Sequence, residues 1–361
     1  MEALGNSGYG KKQIIPNRLR CDMRQRVIGI LRAGEWWDYK LVPIVTFFYA
    51  TALMLGVAVS ELWSGVLLLL LSLIPGAAYV SFINDITDVS DDLASGKRNA
   101  MAGRSSLFKA AAVIVSISGS AFFFWKWRND GLLLGCYAAA WISFTLYSVP
   151  PFRLKTRGLA GVVADAAGAH LFPSLVAVAL AFTTAQAPID QVWFAAAAAA
   201  ALGYGLRGNL WHQLLDRERD ESAGVRTFAE RHGASAAARF GNYLAFPLEL
   251  LGLAVLLWQL RSPLPLVALA VHLELARFRV KRWGMRPVIV EPRQGFFIWL
   301  HEYYDVLLPV ALLIASALSH PADLLVLLIH LLLFHNRARV VGADIRKWYY
   351  STRSQVRSAF R

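Results

Sequence analysis

Charged residues are scarce in this chain, and cysteines are scarcer. Asp, Glu, Lys and Arg make up 17% of the 361 residues, against about 25% in a typical soluble domain. The two cysteines, Cys21 and Cys136, are too few for a disulfide framework or a zinc site. We expect no cleavable signal peptide, because the first 40 residues are polar and basic. With 57% hydrophobic residues, the composition indicates an integral membrane protein.

Apolar stretches recur along the chain at lengths near the roughly 20 residues that a helix needs to cross the hydrocarbon. Ten candidate spans are Leu41–Ser60, Ser64–Ile83, Leu107–Trp125, Gly131–Val149, Leu159–Phe182, Val192–Leu210, Tyr243–Leu260, Pro263–Ala276, Phe296–Leu318 and Ala322–Phe334. The eighth and the tenth are short. We therefore expect an all-α polytopic membrane protein, with nine to ten transmembrane helices around a central cavity in residues 41–334.

The basic residues are distributed unevenly between the two sides of these spans. With the N-terminus inside, 34 of the 37 Lys and Arg residues fall on the inner side, and only Lys126, Arg128 and Arg261 fall outside. This bias predicts that both termini and the loop after the second span are cytoplasmic. The net charge of +13 then reflects topology and contact with membrane lipid, and we expect no nucleic-acid partner. Residues 1–40 are predicted to form a basic interfacial arm, and residues 335–361 a basic cytoplasmic tail.

Two acid-rich segments follow the second and the sixth spans. In "NDITDVSDD", Asn84, Asp88 and Asp92 are four residues apart, and so are Asp216 and Asp220 after the sixth span. Residues four apart share one face of a helix. Ligand sets made only of oxygen suit Mg²⁺, which binds one or two carboxylates, water and substrate phosphates. Two such faces opposite each other could hold two Mg²⁺ ions with a diphosphate between them.

A basic segment lies between the two acidic ones. The sequence "YSVPPFRLKTRG" places Arg153 and Lys155 on the same predicted side as the aspartates. A diphosphate neutralised by Mg²⁺, Lys and Arg is a good leaving group. A cavity inside a membrane suggests a lipid tail on that diphosphate, and aromatic side chains could shelter an allylic carbocation by cation–π attraction.

Three motifs in this order resemble the UbiA superfamily of intramembrane prenyltransferases, over about Trp36 to Gly233. The motif N-D-x-x-D-x-x-x-D is matched from Asn84 to Asp92, and Y-S-x-P-P-x-R-L-K from Tyr147 to Lys155. The motif D-x-x-x-D-x-x-x-G-x-x-T is matched from Asp216 to Thr227. Members of this superfamily usually have a core of nine helices.

The resemblance implies separate roles for the acidic and the basic side chains. The metal ligands would be Asn84, Asp85, Asp88, Asp92, Asp216 and Asp220. The diphosphate would contact Tyr147, Arg153 and Lys155, with Lys97, Arg98 and Arg104 as approximate counterparts of basic residues that many members carry after the first motif. Asp88, Asp216 and Lys155 would be catalytic.

Several ionisable residues within the predicted spans lie outside these motifs. Arg207 is nine residues before Asp216, about 13 Å along a helix, and could face the same cavity. His301 and Glu302 lie in the ninth span. Ionisable residues inside a membrane are functional candidates by default, so these three are predicted to bind substrate. His272, Glu274 and Asp305 are further candidates for reading the acceptor.

These observations predict a Mg²⁺-dependent enzyme that transfers a polyprenyl group from its diphosphate to a lipophilic or aromatic acceptor within the membrane. Two alternatives keep the fold: a UbiA-type terpene cyclase, and a phosphoribosyltransferase acting on a polyprenyl phosphate. A cation transporter is less favoured, because its carboxylates would be expected near the middle of the membrane on broken helices. Here the carboxylates lie at predicted helix ends beside Lys and Arg.

Overall fold

The computed structural model of the chain describes residues 36–359, apart from residues 95, 223, 225 and 294. Most of the predicted basic arm, residues 1–35, therefore lies outside the described residues. The described chain is almost entirely helical, as the sequence predicted, with one small sheet added.

The helices follow one another through short connections. They are α1 (Val42–Leu55), α2 (Trp63–Thr87), α3 (Val89–Ala94), α4 (Ser106–Lys126), α5 (Gly131–Ser148), α6 (Leu159–Ala166), α7 (Phe172–Thr184), α8 (Gln191–Ser222), α9 (Phe228–Phe240), α10 (Phe246–Gln259), α11 (Leu264–Trp283), α12 (Leu308–Ser319), α13 (Asp323–Leu333) and α14 (His335–Ala359). Single π-helical turns precede α1, α7, α10 and α12, at Trp37–Leu41, Ala167–Leu171, Gly241–Ala245 and Tyr303–Leu307.

Local sequence signals explain where several helices begin and end. Ser105 accepts a hydrogen bond from the Phe108 N–H at the start of α4, and Asp130 does the same for the Leu133 N–H at the start of α5. Such side chains satisfy backbone donors that a helix leaves unpaired. Helix α1 ends at Leu55 because Gly56 follows it with a φ of 70°, a conformation that glycine adopts without strain. The helix is therefore shorter than the predicted first span.

Five helical stretches of the described chain are long and apolar enough to cross a membrane: Trp63–Thr87, Ser106–Lys126, Gly131–Ser148, Leu159–Thr184 and Phe228–Gln259. A sixth is counted if the bent pair α13 and α14 forms one span. Two shorter apolar helices, Tyr39–Leu55 and Tyr303–Ser319, accompany them. The predicted number of nine to ten transmembrane helices stays a prediction.

Helix α8 runs through the middle of the bundle and packs closely along α10. A Cβ atom on Gly203 of α8 would lie 2.5 Å from the backbone nitrogen of Glu249, and one on Gly252 of α10 would lie 2.4 Å from that of Ala200. Small residues at such positions allow two helix backbones to approach, which is a common way for helices to associate in membranes. This close contact holds the helix that carries the second acidic segment.

The connection between α11 and α12 contains the small sheet. Strand β1 (Arg286–Val288) pairs in parallel with β2 (Phe296–Ile298), with Arg286 opposite Phe296. The predicted ninth span, which began at Phe296, therefore starts with a strand, and its helical part begins at His301. The predicted start was too early because apolar strand residues cannot be distinguished from helix residues by hydropathy alone.

The predicted tail is a long helix. Helix α13 runs beside α1: Asp323 accepts hydrogen bonds from the Val59 and Ser60 N–H groups beyond one end of α1, and Trp37 donates to the Leu333 carbonyl near the other. Helix α14 then turns away from α13 by 94° and packs on α11 and on the π-helical turn before α12.

Candidate active site

The first acidic segment lies where α2 ends. Asp88 is the residue that ends α2, with φ −108° and ψ 5°, and α3 begins directly after it. The Asp88 N–H still bonds the Asn84 carbonyl (2.9 Å), and the Asp92 N–H bonds the Asp88 carbonyl (2.8 Å). The predicted single helical column is thus interrupted at Asp88, and its side chains meet different partners.

The other polar residues of the first segment have two sets of neighbours. Asn84 lies beside the end of α5, and Asp85 and Asp92 lie beside the loop that follows α3. Ser148 donates a hydrogen bond to the Asn84 side-chain oxygen. Asn99 donates to Asp92 Oδ2 (2.8 Å) and to the Asp85 carbonyl (2.8 Å), while the buried Asp85 carboxylate accepts the Ala100 N–H (3.2 Å). In this arrangement Asp85 holds the loop after α3, so its predicted role as a metal ligand is the least supported of the set.

Asp88 is bound by both basic residues of the predicted diphosphate segment. Lys155 Nζ contacts Asp88 Oδ1, and Arg153 lies 2.9 Å from Asp88 and 2.7 Å from Asp91. Burial lowers the pKa of Lys155, and Asp88 only partly offsets this effect. Burial also lowers the pKa of Arg153, but its hydrogen bonds to Asp91 and Asp88 outweigh it and raise that pKa. The sequence-based set omitted Asp91, although it belongs to the same acidic segment.

The second acidic segment lies at the end of α8 and is bridged to the first. Lys97, which follows α3, lies 3.6 Å from Asp216 and 4.0 Å from Asp220. Burial raises the pKa of Asp220 to about 6, with a partial offset from Lys97. The structure therefore brings the two predicted acidic segments to the same end of the bundle, whereas Arg98, next to Lys97, is exposed.

Two other residues of the second motif shape the chain. Gly224 has a φ of 68°, a conformation that favours glycine. Thr227 caps α9 by accepting a hydrogen bond from the Glu230 N–H (3.3 Å). The glycine and the threonine thus direct the chain from the aspartates of α8 into α9.

A line of polar side chains leads from the aspartates into the bundle. Asn209 donates to Asp165 (2.9 Å), Gln213 donates to Asn209 (2.7 Å), and Gln213 accepts the Ala229 N–H (3.1 Å). Tyr147, predicted to contact the diphosphate, lies beside Asn209 and Asp165. The sequence-based set omitted Asn209 and Gln213. Asn209, Gln213, Asp216 and Asp220 follow one another at intervals of four, three and four residues. This spacing places them on one face of a helix, so it could have identified Asn209 and Gln213 from the sequence.

The donor set fits a metal ion that also needs ligands from a substrate. The acidic segments offer carboxylate and amide oxygens, the ligands that suit Mg²⁺. Among the residues that the structure describes, no three His, Cys, Asp or Glu side chains form a metal-binding group by themselves. A Mg²⁺ ion here would need water and phosphate oxygens to complete its coordination.

Arg207 does not lie among these groups. Its side chain is fully buried and bonds both carboxylate oxygens of Glu249 on α10, at 2.5 and 2.7 Å. Its remaining donors bind the carbonyls of Ile289 and Trp299, which directly follow β1 and β2, each at 3.1 Å. The prediction that Arg207 binds substrate is therefore not supported, because the guanidinium is already occupied by the protein.

Glu302 and Glu274 also lie beside arginines. Glu302 pairs with Arg279 of α11, whose other nitrogen lies 2.7 Å from Asp344 of α14. Glu274 is exposed and lies 3.5 Å from Arg277 on its own helix. Glu302 thus connects three elements of the fold through Arg279, and the predicted role of both glutamates in reading an acceptor stays a prediction.

His301 lies deeper in the bundle, against an aromatic group. Its ring is 5.2 Å from that of Tyr204 on α8, and Tyr204 is 5.3 Å from Tyr304 and 5.0 Å from His170. His272 is buried beside Trp299, outside this group. Of the predicted acceptor residues, His301 keeps a position compatible with that role.

The chain is similar to known proteins in both sequence and fold. A model of the UbiA prenyltransferase family matches residues 44–301. A lycopene elongase/hydratase of Halobacterium salinarum is 28% identical over 221 residues, 60% of this chain and 74% of that protein. Two structures of a UbiA homologue from Archaeoglobus fulgidus, bound to GPP and Mg²⁺ and to DMAPP and Mg²⁺, each align with a TM-score of 0.52 at 17% identity. Each alignment covers 81% of this chain and 99% of the homologue, and it shows a shared fold.

Proposed function

Because the chain belongs to the UbiA prenyltransferase family, we propose that it transfers a prenyl group from a prenyl diphosphate to an acceptor within the membrane, with Mg²⁺ bound at the two acidic segments. The observation that carries the proposal is the meeting of two aspartate groups from α2 and α8 with three basic side chains, Lys97, Arg153 and Lys155. The anionic groups suit Mg²⁺ and the cationic groups suit the diphosphate of a prenyl diphosphate. The apolar bundle next to them suits its prenyl chain.

The metal-binding oxygens would come from both acidic segments. Asn84, Asp88 and Asp92 would serve one ion, and Asp216 and Asp220 the other. Bound Mg²⁺ would neutralise the negative charge that develops on the leaving diphosphate. The structures of the Archaeoglobus fulgidus homologue, which contain Mg²⁺ with GPP or DMAPP, support the use of a divalent metal together with a prenyl diphosphate.

The basic residues would contact the diphosphate itself. In the structure, Lys155 and Arg153 bind Asp88, and Lys97 lies beside Asp216 and Asp220. On binding, these flexible side chains would turn to phosphate oxygens, which accept charged hydrogen bonds strongly. The bond between C1 of the prenyl group and the diphosphate oxygen then breaks, and its electron pair remains on the diphosphate. An electron pair of the acceptor forms the new bond, and the proton it releases passes to a base or to water.

The proposal is tested with purified protein in lipid nanodiscs, supplied with labelled DMAPP or GPP, Mg²⁺ and a membrane lipid extract. We expect a prenylated product by mass spectrometry, abolished by EDTA. Asp88→Asn and Asp216→Asn should each reduce turnover at least about 100-fold, equivalent to about 2.7 kcal/mol of lost transition-state stabilisation.

Glu218→Gln is the matched control, because Glu218 lies on α8 between the two aspartates but is exposed. This variant should keep full turnover. Near-normal turnover in both aspartate variants would contradict the two-metal assignment. A cyclised product formed without any acceptor would replace transfer with the cyclase alternative.

A further inference from the structure

Helix α14 lies beyond the part of the chain that matches the family, which ends at residue 301. The preceding α13 is an apolar helix of 11 residues, and it exposes on one side Leu324, Leu325, Leu328 and Leu332. Such a surface suits membrane lipid. The chain then bends by 94° into α14, which carries six Lys and Arg residues and is too highly charged to enter hydrocarbon. Helix α14 is therefore directed along the membrane surface.

We propose that α14 is a docking surface for anionic membrane lipids, whose phosphate headgroups bind a stripe of three exposed arginines, Arg339, Arg346 and Arg353. The arginines are seven residues apart, and residues seven apart lie on the same face of a helix. This surface is separate from the diphosphate site, so the proposal goes beyond the proposed function and does not depend on it.

Another face of α14 is fixed to the bundle. Four of its residues pack with Leu275 of α11 and Val306 of the π-helical turn before α12. The four residues are Ala338, Val341, Ile345 and Trp348. Their spacing of three, four and three residues places them on one face of the helix. Because each residue turns the helix by about 100°, the centre of this face lies about 120° from the arginine stripe, which is therefore directed away from the bundle.

Two ion pairs hold α14 in place without using the stripe. Asp344, the only acidic residue of α14, lies 2.7 Å from the buried Arg279 of α11. Arg337 lies 2.8 Å from the buried Asp305. Among the residues that the structure describes, the three arginines of the stripe form no ion pair. Their charge is therefore available to an anionic partner.

Exposed aromatic side chains accompany the arginines. Tyr350 is 64% exposed, and it lies on the stripe because it is four residues after Arg346 and three before Arg353. Lys347 lies over the ring of Trp283 at the end of α11, with its Nζ 5.0 Å from the ring centroid. Tyrosine and tryptophan beside Lys and Arg are typical of the membrane–water interface. This combination favours lipid headgroups over an acidic protein.

The position of the stripe also favours lipid, here over a nucleic acid. Arg339 is five residues after Phe334, which ends α13, so it lies about 8 Å along the helix from the apolar segment. Beyond Trp348, the last of the four packed residues, α14 continues to Ala359, which is about 16 Å further. A helical segment of that length is marginal in water by itself, so a membrane surface beside it would stabilise it.

The test counts lipids bound to the purified full chain in detergent by native mass spectrometry. The chain is titrated with dioleoylphosphatidylglycerol, which is anionic, and with dioleoylphosphatidylcholine, which has no net charge. We expect the first anionic lipid to bind at least about ten times more tightly, because each Lys or Arg near an anionic surface contributes about fivefold. Equal binding of the two lipids would overturn the proposal. So would displacement of the anionic lipid by excess sn-glycerol 1-phosphate or by a short DNA duplex, since either would identify a different ligand.

Three triple variants locate the binding. Arg339→Gln/Arg346→Gln/Arg353→Gln should weaken binding of the anionic lipid at least about tenfold, whereas replacing the same three arginines by lysine should restore most of it. The matched control Lys126→Gln/Arg128→Gln/Arg261→Gln removes the same charge from exposed residues at the ends of α4 and α10 and should bind normally.

The melting temperature should stay unchanged in all three variants, because the contacts of α14 with the bundle remain. Equal losses of lipid binding in the glutamine variant of α14 and in the control would overturn the proposal, since the binding would then follow net charge alone. Unchanged lipid binding in the glutamine variant of α14 would also overturn it.

Discussion

Separating Arg207 from Glu249 should destabilise the protein without a specific effect on the diphosphate donor. Both side chains are fully buried and joined by two hydrogen bonds of 2.5 and 2.7 Å. Removing one partner of a buried ion pair leaves an uncompensated charge, at a cost of about 3–5 kcal/mol. We expect Arg207→Met and Glu249→Met each to lose that much, and each to lower the melting temperature in detergent by on the order of 10 °C.

The double variant Arg207→Met/Glu249→Met isolates the pair. It removes both charges together but leaves the Ile289 and Trp299 carbonyls without the donors they now use, which costs about 1–3 kcal/mol for each group that stays unsatisfied. Its loss of stability should therefore be smaller than the sum of the single losses by about 3 kcal/mol, the upper range of measured coupling energies.

The assay combines thermal unfolding with Mg²⁺-dependent binding of labelled DMAPP at a temperature where every variant is folded. Donor affinity should stay within about twofold of the unmodified protein. Additive losses of stability would refute the ion-pair reasoning. An Arg207→Met protein of normal stability with much weaker donor binding would restore Arg207 to the substrate site, as its position in the sequence suggested.

Three further predictions concern the site and the fold. Lys97→Gln should lower the kcat/KM for the donor about 10- to 100-fold, because it removes a cation beside the second acidic segment. The control Arg98→Gln changes an exposed neighbour and should leave the kcat/KM unchanged. Equal losses of kcat/KM in the two variants would contradict the assignment of Lys97 to the diphosphate site. Gly252→Leu should prevent α8 and α10 from packing and yield little folded protein by size-exclusion chromatography, whereas Gly342→Ala, with open space around its Cβ position, should fold normally. A reporter fused after Arg361 should be active in the cytoplasm, as the distribution of Lys and Arg predicts, and an external reporter would reverse that topology.

The acidic segments and the basic loop could be predicted from the sequence because their chemistry is local. Residues four apart share a helix face wherever that helix lies, and aspartates at the ends of apolar stretches have few explanations other than ligands or caps. The spacing selected Asp88 and Asp216 without knowledge of tertiary structure, although the helical column that it predicted for the first segment is interrupted at Asp88. The apolar stretches likewise predicted helices, except where β2 interrupts the ninth.

The tertiary structure alone decided which charges are available to a substrate. Arg207 and Glu249 are 42 residues apart and Lys97 and Asp216 still further, so their pairing depends on how whole helices are rotated and stacked. Hydrophobic periodicity does not fix that rotation in helices that are apolar on most sides. For the same reason the sequence showed the ligand chemistry at the helix ends, whereas the pairing of Arg207 with Glu249 exists only where α8 and α10 pack together.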